Sequence, residues 1–267
     1  EALLPKWGRV SFGQNKEGEG KMRICTGGII NPPPIPAVGL PETERLAREQ
    51  RQSTADYLPA PEDIGKPLAV FLGGFLDAST LQFYNTALEY RDGPRFDAPP
   101  PAFSPERPFP WPEQRRGMAG DQDIYYRSHD TRGYISRLMD VYHRAGRPIA
   151  LIGHSWGGAS AYKLALKSGL PVDLLVTLDP VSVFPLGERR KPRNVRHWVN
   201  VYLDFKRADM TDSSNLTAWV GRPWGAGVKA DVNHDFTAAW PGGTLPGHAW
   251  CYEMFNFYAR SELERVG

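Results

Sequence analysis

The 267-residue chain has few cysteines, no long apolar run and almost no excess of charge. Cys25 and Cys251 lie far apart in the sequence and form no C-x-x-C pair, so no cysteine metal site is predicted, and the sequence leaves their pairing open. No apolar run approaches the ~20 residues that a membrane-spanning helix needs. The first residues resemble no signal peptide. A net charge of +2 is too balanced to indicate nucleic-acid binding.

The basic residues show one local concentration, at residues 189–196 with the sequence R-R-K-P-R-N-V-R. Such a cluster is typical of a solvated loop. It is also typical of a surface that makes transient contact with anionic lipid headgroups. We favour the solvated loop, and the sequence leaves protein partners unknown.

The most informative stretch is residues 153–157, which read G-H-S-W-G and fit the pattern G-x-S-x-G. An apolar run of strand length precedes it at 148–152, and a helix-forming run rich in alanine, leucine and lysine follows at 158–167. A strand, a sharp turn and a helix in this order form a nucleophile elbow. The pattern predicts that Ser155 is a catalytic nucleophile. The competing interpretation is a glycine-rich turn that contains an incidental serine.

A serine hydroxyl is a weak nucleophile until a base removes its proton, so a histidine and a carboxylate must accompany it. On a hydrolase sheet they follow the serine in the order Asp or Glu, then His. Asp179 ends a predicted strand before Pro180, and Asp204 ends the next predicted strand. Both are candidates for the acid, and we favour Asp179 because an abrupt strand end at Asp-Pro has little structural need for a charge.

The base is expected late in the chain, on a loop after the final strand. His248, in the segment P-G-H-A-W before the last predicted helix, fits this position, and His234 is the alternative. His154 belongs to the elbow, where we expect its side chain to pack or to hydrogen-bond structurally. We therefore favour His248 as the base.

Negative charge that develops on a carbonyl oxygen requires preorganised donors. The backbone N–H of Trp156, directly after the serine, and that of Phe75, in a G-G-F turn after an apolar run, are predicted to supply them. A plain turn at the end of a strand is the competing interpretation of G-G-F.

Apolar runs of strand length alternate with helical patterns, which predicts an α/β fold with a mostly parallel sheet and a site at its carboxyl edge. The chain is divided into an N-terminal extension, 1–65, and a catalytic domain, 66–267. Within that domain two stretches are predicted to be irregular: 94–112, which holds eight prolines, and 211–247, which is rich in glycine and tryptophan. One or both are expected to form a lid or wall of an apolar acyl pocket, and the alternative is a linker or surface loop without substrate contact. The predicted strands are 68–72, 123–127, 148–152, 172–178 and 195–205, and the predicted helices are 131–145, 158–167 and 250–263.

Four segments now support a family resemblance: GGF at 73–75, GHSWGG at 153–158, LDPV at 178–181 and GHAW at 247–250. In this order they resemble serine lipases and esterases of the α/β-hydrolase superfamily, in particular bacterial lipase-like hydrolases, including lipase effectors of type VI secretion systems. The resemblance covers about residues 66–260. The Asp-Pro pair one strand after the serine is similar to the arrangement in pancreatic-type lipases. GGF departs from the commoner His-Gly oxyanion motif.

The resemblance implies the α/β-hydrolase fold and a lipase, esterase or phospholipase acting on apolar or lipid-like esters through an acyl-enzyme intermediate. It implies neither a cofactor nor a metal ion. A thioesterase or amidase with the same triad is the alternative, as is a non-catalytic binding protein on the same scaffold. The sequence does not fix the location. The expectation is a soluble protein without a signal peptide or membrane span, either in the bacterial cytoplasm or secreted as an effector.

Overall fold

The computed structural model describes residues 58–75, 77–92, 122–129, 131–182, 189–239 and 245–267. Most of the predicted N-terminal extension, up to residue 57, and the proline-rich stretch 94–112 lie outside the described residues. The predictions made for them stay predictions.

The described strands form a single sheet in which every pairing is parallel. Along the sheet the order is β2-β1-β3-β4-β5-β6. The predicted α/β fold with a parallel sheet is therefore confirmed. The strands are β1 (Leu68–Gly73), β2 (Asp123–Ser128), β3 (Ile149–His154), β4 (Val172–Leu178), β5 (Val195–Tyr202) and β6 (Val232–Asp235).

Helices connect these strands and flank the sheet. In chain order they are α1 (Asp77–Thr80), α2 (Gln82–Asp92), α3 (Arg132–Arg144), α4 (Trp156–Ser168), α5 (Ser213–Val220), α6 (Phe236–Ala239), α7 (Cys251–Tyr258) and α8 (Arg260–Glu264).

The central strands are buried on both faces, which explains why they read as continuous apolar runs rather than as alternating patterns. On β1, Val70 belongs to one core cluster and Phe71 to the other, because successive side chains point to opposite faces. Leu138 of α3 packs into the first cluster, and Phe255 of α7 packs into the second. The sheet therefore separates two apolar layers, each covered by helices.

The structure corrects two of the sequence predictions. The predicted irregular stretch 211–247 contains α5 and β6. Asp212 caps α5, since its carboxylate accepts the Ser214 N–H at 2.7 Å, and β6 has only four residues, too few for a recognisable pattern. The predicted C-terminal helix 250–263 is two helices, α7 and α8, that meet at Ala259. Helix α2 was not predicted.

The order of the strands reverses at one place on the sheet. The chain passes from β1 to β2 on one side and then returns to place β3 on the other side of β1. Ligands of open α/β sheets bind outside the carboxyl ends of the strands at such a reversal. The turn after β1 and the turn after β3, which contains Ser155, both lie at this point.

Within the described ranges, none of the helices has the length and apolar character required to cross a membrane.

A row of hydrogen-bonded polar side chains runs across three strands, from the buried β4 and β5 to the more exposed edge strand β6. Thr177, Asn200 and Asn233 occupy paired positions on β4, β5 and β6. The Thr177 hydroxyl donates to Asn200 Oδ1 at 2.8 Å, and Asn200 Nδ2 donates to Asn233 Oδ1 at 3.0 Å. A shift of one residue in strand register would break both bonds, so the row specifies the register at the end of the sheet that carries the site.

We expect Asn200→Val to lower the free energy of unfolding by about 1–3 kcal/mol, because it leaves the fully buried Thr177 hydroxyl without the acceptor of its hydrogen bond. Urea unfolding measures the change. Thr217→Val, which removes an exposed hydroxyl that bonds only within α5, is the control and should leave the midpoint nearly unchanged. An unchanged unfolding midpoint in the single variant would contradict a role for this row in stability.

Candidate active site

Ser155 lies in a strained turn between β3 and α4. Its backbone has φ 57° and ψ −128°, a conformation that costs of order 1–3 kcal/mol for a residue with a side chain. The flanking glycines are required by close approach: a Cβ atom on Gly153 would clash with the carbonyl of Gly157, and one on Gly157 would clash with the carbonyl of Leu72. The turn therefore has the geometry that the motif predicts, with the hydroxyl at the carboxyl edge of the sheet.

Three of the predicted residues are joined by a continuous chain of hydrogen bonds. His248 Nδ1 lies 2.6 Å from Asp179 Oδ2, and His248 Nε2 lies 2.9 Å from Ser155 Oγ. All three side chains are buried, and Asp179 is completely shielded from solvent. Because a carboxylate can only accept, Nδ1 carries the proton, and Nε2 is left to accept the hydrogen bond that the Ser155 hydroxyl donates.

Asp179 is held at the end of β4 by the backbone of β5. Its N–H donates to the Val201 carbonyl at 2.7 Å, and its Oδ1 accepts the Leu203 N–H at 3.1 Å. The residue has φ 37°, a strained value that its neighbours impose. One carboxylate oxygen is therefore used for anchoring, and the other is left for His248.

His248 is held through its backbone by two side chains that the sequence did not reveal as partners. Its N–H donates to Asn215 Oδ1 at 2.6 Å, and its carbonyl oxygen lies 2.8 Å from His154 Nε2. Asn215, on α5, is itself fixed by donating to the Asp209 carbonyl at 2.9 Å. The sequence of residues 211–247 did not predict α5. The hydrogen bond between Asn215 on this helix and the His248 backbone could therefore not be predicted either.

His154 is a buried neighbour of His248 that stays neutral. Burial, and to a lesser extent the nearby His248, hold the pKa of His154 well below its usual value of 6.5. The two rings lie 4.7 Å apart. Nε2 of the neutral ring donates to the His248 carbonyl, so His154 packs and hydrogen-bonds as the sequence predicted.

The two alternative residues have other partners. The Asp204 carboxylate accepts from the Lys206 N–H at 3.1 Å and from Arg207 Nε at 3.0 Å, and these bonds lower the pKa of Asp204. The His234 ring stacks on Tyr258, with centroids 4.4 Å apart. Neither Asp204 nor His234 belongs to the hydrogen-bond chain at Ser155.

The two residues predicted to supply backbone N–H donors, Phe75 and Trp156, both lie close to the serine. Trp156 is the first residue of α4, where an N–H has no acceptor within the helix. The turn that carries Phe75 passes against Ser155, since a Cβ atom on Gly74 would lie 2.7 Å from Ser155 Cβ. The side chains of Phe75 and Trp156 also meet, with ring centroids 5.0 Å apart.

A ring cluster formed by Phe75, Trp156 and His129 lies beside the serine. The His129 ring lies 5.4 Å from that of Trp156 and 6.4 Å from that of Phe75. Phe75 is 58% exposed, so part of its ring remains open to solvent next to the serine. The cluster gives this side of the site an apolar surface.

A separate cleft of 660 Å³ lies at the carboxyl ends of β5 and β6. Trp219 and Arg222 line it, whereas none of the three hydrogen-bonded residues does. The cleft and the serine site are therefore distinct features of the same edge of the sheet.

Three further features of the sequence have a structural description. Across the described segments, the acidic, histidine and cysteine side chains form no group of three or more that could hold a metal ion. Cys251 is a buried free thiol, and Cys25 lies outside the described residues. In the basic stretch, Lys191 pairs with Asp231 at 2.7 Å, and Arg189 lies over the Trp224 ring, 4.8 Å from its centroid.

No protein-family model matches this chain, and comparisons with curated proteins and with solved structures also gave no match. The functional argument therefore rests on the site itself.

We expect the free energy of unfolding to decrease as the pH is lowered, because of His154. The unfolded chain takes up a proton near pH 6.5, whereas the folded chain does so only at lower pH. The contribution of neutral His154 to the free energy of unfolding is therefore complete above about pH 6.5. It is lost as the pH falls below that value, by up to ~1.4 kcal/mol per pH unit. Urea unfolding at about pH 7.5 and 5.5 measures it.

His154→Gln is the matched variant for this prediction, because its amide can donate to the same carbonyl but does not titrate. Its stability should fall less on acidification than that of the wild type. Equal pH dependence in the two proteins would contradict the assignment.

Proposed function

We propose that the protein is a serine carboxylester hydrolase with an α/β-hydrolase core. The observation that carries the proposal is the unbroken hydrogen-bond chain from Ser155 through His248 to the fully buried Asp179. Three further observations support it. The serine lies on a strained strand-to-helix turn, and the three residues occur in the order Ser, Asp, His. The serine also lies where the order of the strands reverses, which is the usual position of a site in such a sheet.

The geometry supports the following mechanism. His248 Nε2 takes the proton of the Ser155 hydroxyl as its oxygen attacks the ester carbonyl, and then gives that proton to the leaving alcohol. Asp179 keeps the imidazole in the required tautomer and stabilises the imidazolium that forms. A water molecule, activated by the same histidine, then hydrolyses the acyl-enzyme.

The N–H groups of Phe75 and Trp156 stabilise the oxyanion in this mechanism. They lie close to the serine, and the positive end of the α4 dipole adds to their effect. Removing one such donor typically costs roughly 3–4 kcal/mol of transition-state stabilisation. Since both are backbone groups, side-chain replacements leave them in place.

The substrate class follows from the ring cluster of Phe75, Trp156 and His129. An exposed aromatic surface next to the reacting atoms offers contact area to an apolar part of the substrate. We therefore propose apolar esters as substrates, with lipid esters included in that class.

Ser155→Ala should abolish hydrolysis of p-nitrophenyl esters and covalent labelling by a fluorophosphonate probe, with the fold retained. Rates and labelled protein mass measure both effects. Ser168→Ala, at the far end of the same helix α4, is the control and should behave as the wild type does.

A wild-type protein that neither turns over any ester nor accepts the label would contradict the proposal and favour a binding protein on this scaffold. Labelling without ester turnover, together with cleavage of a thioester or amide, would replace the proposed substrate class.

We expect Phe75→Ala to reduce the preference for long or aromatic acyl chains over acetate by about tenfold, because it removes the exposed ring and keeps the backbone N–H. The ratio of kcat/KM across a series of p-nitrophenyl esters measures it. Trp219→Ala removes an equally exposed ring, 57% against 58%, from the separate cleft and should leave the ratio unchanged. Equal effects of the two variants would contradict the assignment.

A further inference from the structure

The buried carboxylate of Asp77, which lies two residues after Phe75, has no part in the proposed mechanism. Asp77 is only 5% exposed. Its Oδ1 accepts the Phe83 N–H at 2.7 Å, and its Oδ2 accepts the Tyr84 N–H at 3.2 Å. The Tyr126 hydroxyl donates a hydrogen bond to Oδ2. The carboxylate thus caps the start of α2 and also joins it to β2.

The turn that carries Phe75 lies between this carboxylate and the nucleophile. A Cβ atom on Gly73 would lie 2.6 Å from Asp77 Oδ2 and would clash with the Tyr126 hydroxyl. A Cβ atom on Gly74 would lie 2.7 Å from Ser155 Cβ. The two glycines are therefore needed for different reasons: the first makes room for the Asp77–Tyr126 pair, and the second for the serine.

A backbone bond ties Asp77 to the same turn, because its N–H donates to the Gly74 carbonyl at 3.3 Å. Burial, and then the neighbouring Asp77 charge, raise the pKa of Tyr126 well above its usual value, so Tyr126 keeps its proton and remains the donor. Burial also raises the pKa of Asp77, and the bonds from Tyr126, Phe83 and Tyr84 oppose this rise. The carboxylate is accordingly a stable acceptor only while these donors are present.

We propose that Asp77 and Tyr126 are positioning residues that fix the Gly74–Phe75 peptide, and with it the Phe75 N–H, against the carbonyl oxygen of the substrate. The inference rests on the proposed function, since it assigns these two side chains a task in the same site. Neither touches the substrate; both act through the backbone of the turn. These two residues should therefore affect kcat more than KM, because the carbonyl oxygen gains negative charge in the transition state and the donor N–H stabilises it there.

The test compares two tyrosines that make the same kind of bond. Tyr126→Phe removes the hydroxyl that binds Asp77, and Tyr142→Phe removes a buried hydroxyl that donates to Asp123 Oδ2 at 2.8 Å. Asp123 is the first residue of β2 and lies at the opposite end of the strand from the site. The two variants should lose similar stability, so thermal unfolding controls for a purely structural effect.

For Tyr126→Phe we expect kcat on a p-nitrophenyl ester to fall about 10- to 100-fold with KM changed by less than about threefold. Removing an oxyanion donor lowers kcat by about 10²–10³, and displacing the donor should cost less than removing it. The inhibition constant of a boronic acid, which forms a tetrahedral adduct on serine, should weaken by a similar factor. Tyr142→Phe should keep both values within about twofold of the wild type.

Asp77→Asn provides a second variant, which removes the charge and keeps one carbonyl acceptor. We expect the same pattern in kcat and in the boronic acid constant, with a larger effect because both sides of the anchor change. If this variant fails to fold, Tyr126→Phe still decides the question.

Two outcomes would overturn the inference, and they differ. An active wild type with equal kcat values in Tyr126→Phe and Tyr142→Phe would overturn the positioning role alone. A wild type without turnover or fluorophosphonate labelling would overturn the proposed function and this inference with it.

Discussion

The carboxylate of Asp179 has no contact with solvent, and the hydrogen bond that it accepts from His248 is the interaction on which the site depends. A buried carboxylate is tolerated only when hydrogen bonds compensate for its lost hydration. Asp179 receives one from the Leu203 N–H and one from His248. The first fixes it to the chain after β5, and the second fixes the imidazole at Ser155. The sheet edge and the loop before α7 are therefore coupled through a single side chain.

Strain and close packing are concentrated at the same edge of the sheet. Ser155 and Asp179 both have positive φ angles, and each directly follows a strand whose neighbours hold it in place. The Ser155 N–H donates to the Leu178 carbonyl, and the Asp179 N–H donates to the Val201 carbonyl. Adjacent strands thus maintain backbone conformations that an isolated turn would not adopt. Because the parallel sheet is rigid, it fixes the relative positions of Ser155 and Asp179.

The features that could be predicted from the sequence are those encoded by patterns of neighbouring residues. The elbow around Ser155 was predictable because its glycines, strand and helix are contiguous. The expected chain order narrowed the acid to Asp179 or Asp204 and the base to His248 or His234, and their places, before a proline at a strand end and before the last helix, favoured Asp179 and His248. Asn215 and the anchoring role of Asp77 were not predictable, since each depends on contacts between distant segments: Asn215 with the His248 loop, and Asp77 with Tyr126 on β2. The short strand β6 lacked a pattern of its own, and its place in the sheet comes from pairing with β5.

The most direct test of the account is the pair of variants Asp179→Asn and Asp204→Asn, assayed for kcat on a p-nitrophenyl ester that the wild type hydrolyses. An amide at position 179 would donate to Nδ1 and force the wrong tautomer, so we predict a loss of roughly 10⁴-fold with the fold intact. Asp204, which pairs with Arg207, should be dispensable for kcat. A large loss in Asp204→Asn together with a nearly unchanged Asp179→Asn would contradict the proposed site.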